Sequence, residues 1–542
     1  IPFIGTISDW LAGMEAAQRV RVVAYGLVGI MLLRMVAQSL FNYLSIELRL
    51  ALVQRLQSQT LDQLLRVQLS YLNARRQGEL DEILAHHIGQ IGSMVDQSTR
   101  AISLLATLLV YGLLLLWIAP LLTLVTAGML LGLLVFVWFK VALPLEEKAG
   151  ETRESAVLLH NNLLETLAGL ATIRLFGRQA QRLEDFHRLQ SEHLHNRRGI
   201  EKRIATVRPT FELANILAQS VVLLFASWWL PADSSAWQAD LLLFVAIVVR
   251  LMSPVSQFVH AVAVMIRNEP ALDAVLGFLR SDDKPYPRTG DQPFDGLNDS
   301  LRFESVSFRY TESEPEVIKG LDLAIEAGRF TAIVGASGAG KSTLINLIAR
   351  LADCGSGCIL VDGHDLRTLS PRDWHQGLAV VSQDVFLFND SVAENIRFPR
   401  PEASDEEVKR AAELAGADTF IRELPQGYDT PLGDRGTRLS GGQRQRISIS
   451  RALLAGPGIL LLDEATSELD AHAEQALKQR LRSLCPAWTI IAVAHRLSSI
   501  RDADTIVVMD GGRVVESGRH EALMESDGAY SALVRAQSGE SR

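Results

Sequence analysis

The stretch GASGAGKST at residues 335–343 contains the residue types that most directly suggest chemistry. It fits the pattern G-x-x-x-x-G-K-[ST], in which glycines let backbone N–H groups converge on phosphate at the start of a helix. A chance glycine-rich turn is the alternative, but the apolar run 330–334 predicts a strand before the loop and 344–350 predicts a helix after it. The residues expected to bind nucleotide phosphates are Gly335, Ser337, Gly338, Ala339, Gly340, Lys341, Ser342 and Thr343.

Two of these side chains have distinct expected roles. The Lys341 ammonium would reach the terminal phosphates of ATP, where it would neutralise part of their negative charge. The Ser342 hydroxyl would hold Mg²⁺, a cation that prefers oxygen ligands. The loop therefore predicts that the chain binds ATP together with Mg²⁺.

Two further apolar runs predict strands that end beside this loop. The run ILLLD at 459–463 ends in an acidic pair, and ligands of parallel sheets bind at the carboxyl ends of the strands. Asp463 would hold Mg²⁺ through water, and Glu464 would polarise the attacking water. The run 488–494 brings His495 to the same edge, where it would contact a terminal phosphate.

A fourth motif, LSGGQ at 439–443, makes this combination of motifs specific for one family of ATPases. The ordered motifs GASGAGKST, VVSQDVFLF with Gln383, LSGGQRQRIS, ILLLDEATSELD and AHR resemble those of the ATP-binding cassette ATPases. The resemblance covers residues 301–538 and, more loosely, the preceding helices. Glu468 departs from the pattern, since related exporters commonly have alanine there.

The resemblance implies roles for residues outside the phosphate loop. Tyr310 would stack on adenine, and Gln383 would touch Mg²⁺ and sense the membrane domain. In this family the LSGGQ motif closes over the ATP held by the partner cassette, so a lone cassette cannot assemble a complete site. The residues expected to act on the partner's nucleotide are Ser440, Gly441, Gly442, Gln443 and Asp470.

The first half of the chain predicts a membrane domain, because it contains apolar runs of about the ~20 residues needed to cross a bilayer as a helix. The predicted spans are 22–44, 101–118, 121–143, 207–230 and 240–265. The long polar segments 45–100 and 144–206 are rich in arginine, and the turn 231–240 has no basic residue. The positive-inside rule therefore places the long segments in the cytoplasm. The chain opens on IPFIGTISDW, so we expect a preceding first span and six spans in the intact domain.

Four ionisable residues fall within or near the predicted spans: Arg34, Glu212, Arg250 and His260. Such residues are costly in lipid and usually face a bundle interior or a cavity, so they are candidates for the pathway of a transported solute. The alternative is that they snorkel to the interface or pair with each other.

The resemblance also implies how the two halves are joined. Residues 1–280 would form the transmembrane domain, residues 301–538 the nucleotide-binding domain, and the segment 281–300, rich in Pro, Gly and Asp, a linker. Stretches near 71–90 and 161–178 resemble the coupling helices of exporters. An amphipathic helix packed on its neighbour is the alternative for each. LGDRG at 432–436 resembles an exporter-specific loop that meets the partner's helices.

Composition argues against other classes of site. The net charge of −9 and the lack of a basic tract disfavour nucleic acid as a partner. Cys354, Cys358 and Cys485 form no disulfide framework and suit a reducing compartment. The pair at 354 and 358 lacks the further ligands of a zinc site, so we expect a glycine-rich turn there.

The sequence thus predicts an all-α transmembrane bundle of the six-helix exporter type followed by an α/β P-loop domain. The expected function is ATP-driven export or flipping of an amphipathic or lipid-like solute, a peptide or a glycolipid, by a dimer in a bacterial cytoplasmic membrane, with a homodimer favoured. The alternatives are an importer of metal-chelate (siderophore) complexes, one subunit of a heterodimer, or an ATP-gated channel or regulator. The apolar runs exclude a soluble cassette ATPase.

Overall fold

The computed structural model describes residues 15–73, 77–137, 143–229, 235–282, 284–287, 290–311, 314–465, 471–485, 487–494 and 501–538. The chain divides into two compact units. The helical unit comprises Ile1–Arg66 and Asn73–Lys284, and the α/β unit comprises Val67–Leu72 and Pro285–Arg542. The fold class expected from the sequence is confirmed, since a bundle of long apolar helices precedes an α/β domain.

The first half of the chain consists of helices. Their bounds are α1 (Ala16–Arg66), α2 (Leu69–Asn73), α3 (Gln77–Asp81), a π-helical segment (Glu82–His87), α4 (Ile88–Ile118), α5 (Pro120–Val137), α6 (Leu143–Ala168), α7 (Leu170–Leu175), α8 (Gln179–Trp229) and α9 (Ser235–Leu279). Leu, Val, Ala and Ile fill the middle of α1, α4 and α9, and those three contain stretches long and apolar enough to cross a membrane within the described residues. The helical runs that contain these stretches are Val20–Arg66, Glu79–Ile118 and Leu242–Leu279, and the second of them continues from α4 back through the π-helical segment.

Three of the five predicted spans, 22–44, 101–118 and 240–265, fall in those helices. The other two reach beyond the described residues. The span 121–143 begins in α5, which ends at Val137, and 207–230 lies in α8, which ends at Trp229. These two stay predictions as membrane spans.

Helices α4 and α9 pack along their length and form the interior of the helical unit. Leu115 and Phe244 are buried in one cluster of this interface, and Ile91 and Phe278 in another. A polar contact lies between the two clusters, where the Asn268 amide donates to the Ser93 hydroxyl at 2.8 Å. Polar pairs of this kind fix the register of two helices, because apolar packing alone is tolerant of sliding.

The α/β unit contains two sheets and the helices around them. Its strands are β1 (Ser300–Phe308), β2 (Ile318–Glu326), β3 (Phe330–Gly335), β4 (Ser356–Val361), β5 (His364–Asp365), β6 (Leu378–Val381), β7 (Ile459–Asp463), β8 (Thr489–Val493), β9 (Thr505–Asp510) and β10 (Arg513–Gly518). Its α-helices are α10 (Lys341–Ile348), α11 (Pro371–Gln376), α12 (Val392–Arg397), α13 (Asp405–Leu414), α14 (Asp418–Glu423), α15 (Gly441–Ala455), α16 (Ala471–Arg482), α17 (His520–Glu525) and α18 (Ala529–Ser538). Cys358, expected in a turn, lies in β4.

The larger sheet has the order β10-β9-β3-β8-β7-β6, and its strands are parallel except for β10. The smaller sheet is antiparallel, with the order β2-β1-β4-β5. Every residue of β7 and β8 is buried, which explains why both read as continuous apolar runs in the sequence. The carboxyl ends of β3, β8 and β7 therefore meet at one edge.

The described part of the segment 281–300 contacts the α/β unit, and its role as a linker stays a prediction. From Pro285 onward it belongs to the α/β unit, and β1 already begins at Ser300. The Gln292 N–H donates to the Thr368 carbonyl at 3.1 Å, and the Phe294 ring lies edge-on to Trp374 with centroids 4.9 Å apart. These contacts attach the segment to the α/β unit.

Candidate nucleotide-binding site

The edge of the parallel sheet brings three predicted site segments together. β3 and β7 both pair with β8 in parallel register, with Ile333 and Asp463 each opposite Val493. The Glu464 N–H donates to the Val493 carbonyl at 3.1 Å, which continues the ladder one residue past β7. The glycine-rich loop and the acidic pair therefore lie side by side on a rigid frame.

The loop needs glycine where the backbone passes other backbone closely. A Cβ on Gly335 would lie 2.2 Å from the Met509 carbonyl oxygen of the neighbouring strand β9. Gly340, directly before α10, has a φ of +95°, a conformation that residues with a side chain rarely adopt. These two positions bend the chain from β3 into the helix, so that the N–H groups of the loop face one side.

Lys341 is folded back over the loop that precedes it. Its ammonium donates to the carbonyls of Gly335 at 3.0 Å and Ala336 at 2.9 Å, and only 6% of the residue is exposed. Burial lowers the pKa of Lys341 below its ordinary value, while the charges of Glu464 and Asp463 act in the opposite direction. The lysine is therefore a buried cation that two carboxylates help to keep charged.

The oxygen atoms beside Lys341 suit a hard divalent cation. The Ser342 hydroxyl lies 3.3 Å from Oδ1 of Asp463, so a hydroxyl and a carboxylate oxygen face the same point. Mg²⁺ prefers such ligands and keeps several waters when few protein groups bind it. These residues fit the cation that the sequence predicted.

Gln383 and Glu464 also meet at this edge. The Gln383 amide donates to Oε2 of Glu464 at 2.9 Å. Glu464 has a φ of +50°, in the left-handed region that costs a residue with a side chain of order 1–3 kcal/mol. Backbone strain of this kind persists where the surrounding structure fixes it, and here the flanking strand and Gln383 do so.

Tyr310 lies next to the phosphate loop, although it is distant from it in sequence. Its hydroxyl is 3.0 Å from Oγ1 of Thr343 in α10, and its ring packs edge-on against Phe308 with centroids 5.0 Å apart. The residue is 40% exposed, so part of the ring is accessible at the surface. An aromatic ring held at a phosphate loop can stack on a base.

The LSGGQ motif forms the start of helix α15. Ser440 is the N-cap, and its hydroxyl accepts from the Gln443 N–H while the Gln443 side chain accepts from the Ser440 N–H. This capping box leaves Gly441 and Gly442 in the first turn, where helix N–H groups and the helix dipole favour an anion.

Sequence reasoning missed two residues of α15, one that contacts the site at Glu464 and one that attaches the helix to Asn395 and Phe386. The Gln445 amide donates to the Glu464 carbonyl at 3.2 Å. Arg451 donates to the carbonyls of Asn395 at 2.8 Å and Phe386 at 3.0 Å, and burial lowers the pKa of Arg451 to about 10. An arginine among apolar residues in ISISRALLA is the signal that could have found Arg451; no sequence signal marks Gln445.

Three residues of interest in the sequence lie outside the described residues. These are His495, Asp470 and Glu468. Their expected roles stay predictions.

Comparison with known proteins agrees with this geometry. The family model for the ABC transporter transmembrane region matches residues 2–255, and the ABC transporter model matches residues 318–467. The heterocyst differentiation ATP-binding protein HepA of Nostoc sp. strain PCC 7120 is 37% identical over 489 residues, covering 89% of this chain and 78% of that protein. The chain belongs to the ABC transporter family.

Two further similarities concern exporters and flippases. The ATP-dependent lipid A-core flippase of Alkalilimnicola ehrlichii is 33% identical over 519 residues, covering 94% of this chain and 86% of that protein. A solved structure of a bacterial Atm1-family ABC exporter with ATP bound has a TM-score of 0.85 at 27% identity, covering 100% of this chain and 96% of that one.

The family assignment establishes the coarse biochemistry. This ABC transporter is an exporter-type half-transporter whose transmembrane domain is fused to its nucleotide-binding domain. It is an integral membrane protein that binds ATP and couples ATP hydrolysis to export. The half-transporter architecture implies that it dimerises with another ABC subunit.

Proposed function

We propose that this ABC transporter is a homodimer that exports an amphipathic or lipid-like solute across a bacterial cytoplasmic membrane. The observation that carries the proposal is the group of side chains that meet at one sheet edge, with Lys341 over the phosphate loop and Gln383 on Glu464. A chain that carries these groups together with its own LSGGQ motif can supply both halves of a composite site. Two copies then give two equivalent sites by two-fold symmetry.

Within each site the side chains have separate proposed roles. Lys341 binds the terminal phosphates, and Glu464 polarises the attacking water. Ser342, Asp463 and Gln383 would hold Mg²⁺, which supplies charge neutralisation at the phosphate oxygens. Gln383 also keeps the Glu464 carboxylate oriented before water arrives, since its amide donates to Oε2 at 2.9 Å.

Further proposed contacts complete the nucleotide site. Tyr310 stacks on the adenine, and His495 contacts the terminal phosphate. The loop residues Gly335, Ser337, Gly338, Ala339, Gly340 and Thr343 cradle the phosphates with their N–H groups.

The partner's nucleotide is bound by the start of α15. Ser440, Gly441, Gly442 and Gln443 face it, and Asp470 acts across the dimer. The capping box supports this proposal because it fixes the first turn of a 15-residue helix in an orientation that can receive an anion. ATP then joins the two subunits, and its hydrolysis separates them.

We further propose that residues near 71–90 and 161–178 transmit this movement. The short helix α7 (Leu170–Leu175) ends in apolar side chains that water would not favour, with Leu175 84% exposed and Phe176 74% exposed. An exposed apolar tip on a polar segment is typical of an interaction surface. Its proposed contact is the nucleotide-binding domain of the partner subunit.

The solute class rests on the relatives and on the membrane helices. The flippase relatives are named for lipid A-core, which favours a lipid-like solute here. Arg34 and Arg250 lie in apolar helices and are exposed on the single chain, so they stay our predictions for contacts with an anionic part of the solute. Glu212 and His260 are further predictions of the same kind.

The homodimer is tested by complementation between two inactive chains. In Lys341→Ala and Ser440→Ala homodimers every composite site carries one defect. A mixed dimer, purified through a different tag on each chain, has one site with both residues intact and one with neither. We expect the mixed dimer to trap nucleotide with vanadate at roughly half the wild-type level, because one of two sites is restored.

Two results would contradict the proposal. If the two tags never copurify, the chain does not form a homodimer. If mixed dimers trap no nucleotide, the site is not built from residues of both subunits. The solute class is tested separately by measuring ATPase stimulation in lipid nanodiscs with glycolipids, peptides and metal chelates.

A further inference from the structure

Glu464, the residue proposed to polarise the attacking water, is held at its N–H, its carboxylate and its carbonyl by three different elements. Its N–H donates to the Val493 carbonyl in β8 at 3.1 Å, and its Oε2 accepts from the Gln383 amide at 2.9 Å. Its backbone carbonyl accepts from Nε2 of Gln445 at 3.2 Å. The first two contacts belong to the sheet edge, whereas the third comes from helix α15, whose start is proposed to bind the partner's nucleotide.

Gln445 is a polar side chain at a buried position. Only 2% of the residue is exposed, and most of the residues that α15 buries with it are apolar. Burying an amide costs free energy unless the amide is hydrogen-bonded, so an apolar residue would fill this position at lower cost. The Glu464 carbonyl provides a hydrogen-bond partner for this buried amide.

The Glu464 carbonyl is a sensitive point to hold, because the backbone of this residue is strained. With a φ of +50°, Glu464 has a left-handed conformation that persists only where the surrounding structure fixes it. A return to ordinary backbone angles would redirect the carboxylate. Because Val493 fixes the N–H and Gln445 fixes the carbonyl, the backbone of Glu464 cannot rotate without losing one of these hydrogen bonds.

Helix α15 connects this contact to two other parts of the site. Gln445 lies about one turn after the glycines of the LSGGQ motif, within the same continuous helix. Farther along, Arg451 donates to the carbonyl of Phe386, three residues after Gln383, at 3.0 Å. The helix therefore holds the Glu464 backbone directly and also anchors the loop whose glutamine holds the carboxylate.

We propose that Gln445 is a positioning residue for hydrolysis, which fixes the backbone of Glu464 and thereby the direction of its carboxylate on the same chain. The inference rests on the proposed function, which assigns water polarisation to Glu464 and the partner's nucleotide to the start of α15. One helix then serves both sites of the dimer, since its first turn binds the partner's ATP while Gln445 aligns the glutamate of its own chain. Movement of α15 onto the partner's ATP is thereby transmitted to the alignment of Glu464.

The first test compares kcat, the KM for ATP and the melting temperature of full-length protein in nanodiscs. Gln445→Met keeps the length of the side chain but cannot donate to the Glu464 carbonyl. We expect kcat to fall roughly tenfold while KM stays within about twofold, because misalignment slows the chemical step without removing a contact to ATP. Ser450→Ala is the matched control, since Ser450 is buried in the same helix and its hydroxyl donates to the Arg446 carbonyl at 2.8 Å. It should keep both kinetic constants, whatever its effect on the melting temperature.

A double variant separates positioning from general damage to the protein. If Gln445 acts through the Glu464 carboxylate, adding Gln445→Met to Glu464→Gln should slow turnover no further. A further loss in the double variant would overturn the proposal, as would an unchanged kcat in Gln445→Met alone. If Gln445→Met does not fold, the isosteric Gln445→Glu provides the same comparison, because an ionised carboxylate cannot donate.

The same measurements distinguish this inference from the function on which it rests. A small loss of kcat in Glu464→Gln would contradict the proposed function, and the inference would fall with it. A large loss in Glu464→Gln together with none in Gln445→Met would overturn the inference alone.

The second test asks on which of the two sites Gln445 acts. In a mixed dimer with Lys341→Ala on one chain, the remaining intact site combines the phosphate loop and Glu464 of the other chain with the start of α15 from the Lys341→Ala chain. Gln445→Met on the chain with the intact loop should slow vanadate trapping roughly tenfold. The same substitution on the Lys341→Ala chain should leave the rate of trapping unchanged.

Two other patterns would overturn the proposal. Slowing only when the substitution is on the Lys341→Ala chain would show that Gln445 acts on the partner's nucleotide through the LSGGQ motif. Equal slowing in both arrangements would show that the substitution damages helix α15 as a whole. If no mixed dimer forms, the homodimer is contradicted, and the kinetics of Gln445→Met still decide the role of Gln445.

Discussion

The nucleotide site and a cavity of about 760 Å³ in the helical unit, lined by His86, His87, His160 and His193 among others, both collect charged side chains, but they hold them by different means. In the nucleotide site the functional groups follow directly from strand ends, and the backbone itself is constrained at Gly340 and Glu464, both with positive φ. In the cavity the charges come from separate helices and lie at the ends of long side chains such as Arg197 and Arg267.

This difference matches the precision that each region requires. Hydrolysis requires a water, a carboxylate and a phosphate to be aligned to within a fraction of an ångström, and side chains on a rigid backbone provide that alignment. The charged groups of the cavity meet no such requirement, because they lie at the ends of flexible side chains. Substitutions should therefore act sharply in the first region and gradually in the second.

The largest expected effect is that of Glu464→Gln. The amide keeps the size of the side chain but cannot polarise water, so ATP turnover should fall about 10²–10³-fold, in the range of lost general-base catalysis. ATP binding should persist, because the variant leaves Lys341 and the phosphate loop intact. The measurement is the steady-state ATPase rate in nanodiscs together with nucleotide affinity. Glu423→Gln, an exposed glutamate in helix α14, is the matched control and should behave like the wild type. A loss below tenfold would mean that another group polarises the water.

The contrast also explains which parts of the molecule could be predicted from the sequence. The loop at 335–343 and the pair Asp463 and Glu464 were predictable because each is a contiguous motif attached to a buried strand. The contact between Gln445 and the Glu464 carbonyl was not, since it depends on where α15 packs relative to the sheet. The local sequence determines the conformation of a short motif, but it does not determine which distant segments of the chain come into contact.

The cavity and the linker show the same limit. Arg197 and Arg267 are 70 positions apart and share Glu201 only after the helices have packed. The Pro, Gly and Asp content of the segment 281–300 predicts a loop, while the contact of Phe294 with Trp374 that attaches it to the α/β unit has no sequence signature. Composition predicts local conformation, but tertiary contacts decide whether a segment is free.

A second prediction uses the same substitution in the nucleotide site and in helix α4 of the helical unit. In Gly335→Ala the new Cβ would lie 2.2 Å from the Met509 carbonyl, so the loop must move and ATP affinity should fall roughly tenfold or more. Gly89→Ala, in helix α4, meets no atom within 4 Å and should raise stability by up to about 1 kcal/mol through helix propensity. Nucleotide affinity and the melting temperature measure the two effects. If Gly335→Ala bound ATP normally, the nucleotide site would be as tolerant as the helices, and the contrast would fail.

The smallest expected effect tests whether any part of the nucleotide site behaves like the cavity. Tyr310 is 40% exposed, and its hydroxyl lies 3.0 Å from Oγ1 of Thr343. Tyr310→Phe removes only this hydrogen bond, worth about 0.5–1.5 kcal/mol, so the KM for ATP should rise several-fold at most while kcat stays constant. Tyr310→Ala also removes the aromatic face and should raise KM further, because base stacking is worth roughly 1–3 kcal/mol. A fall in kcat for Tyr310→Phe would place the hydroxyl in the alignment of the phosphates, and the constrained region would then extend to the adenine end of the site.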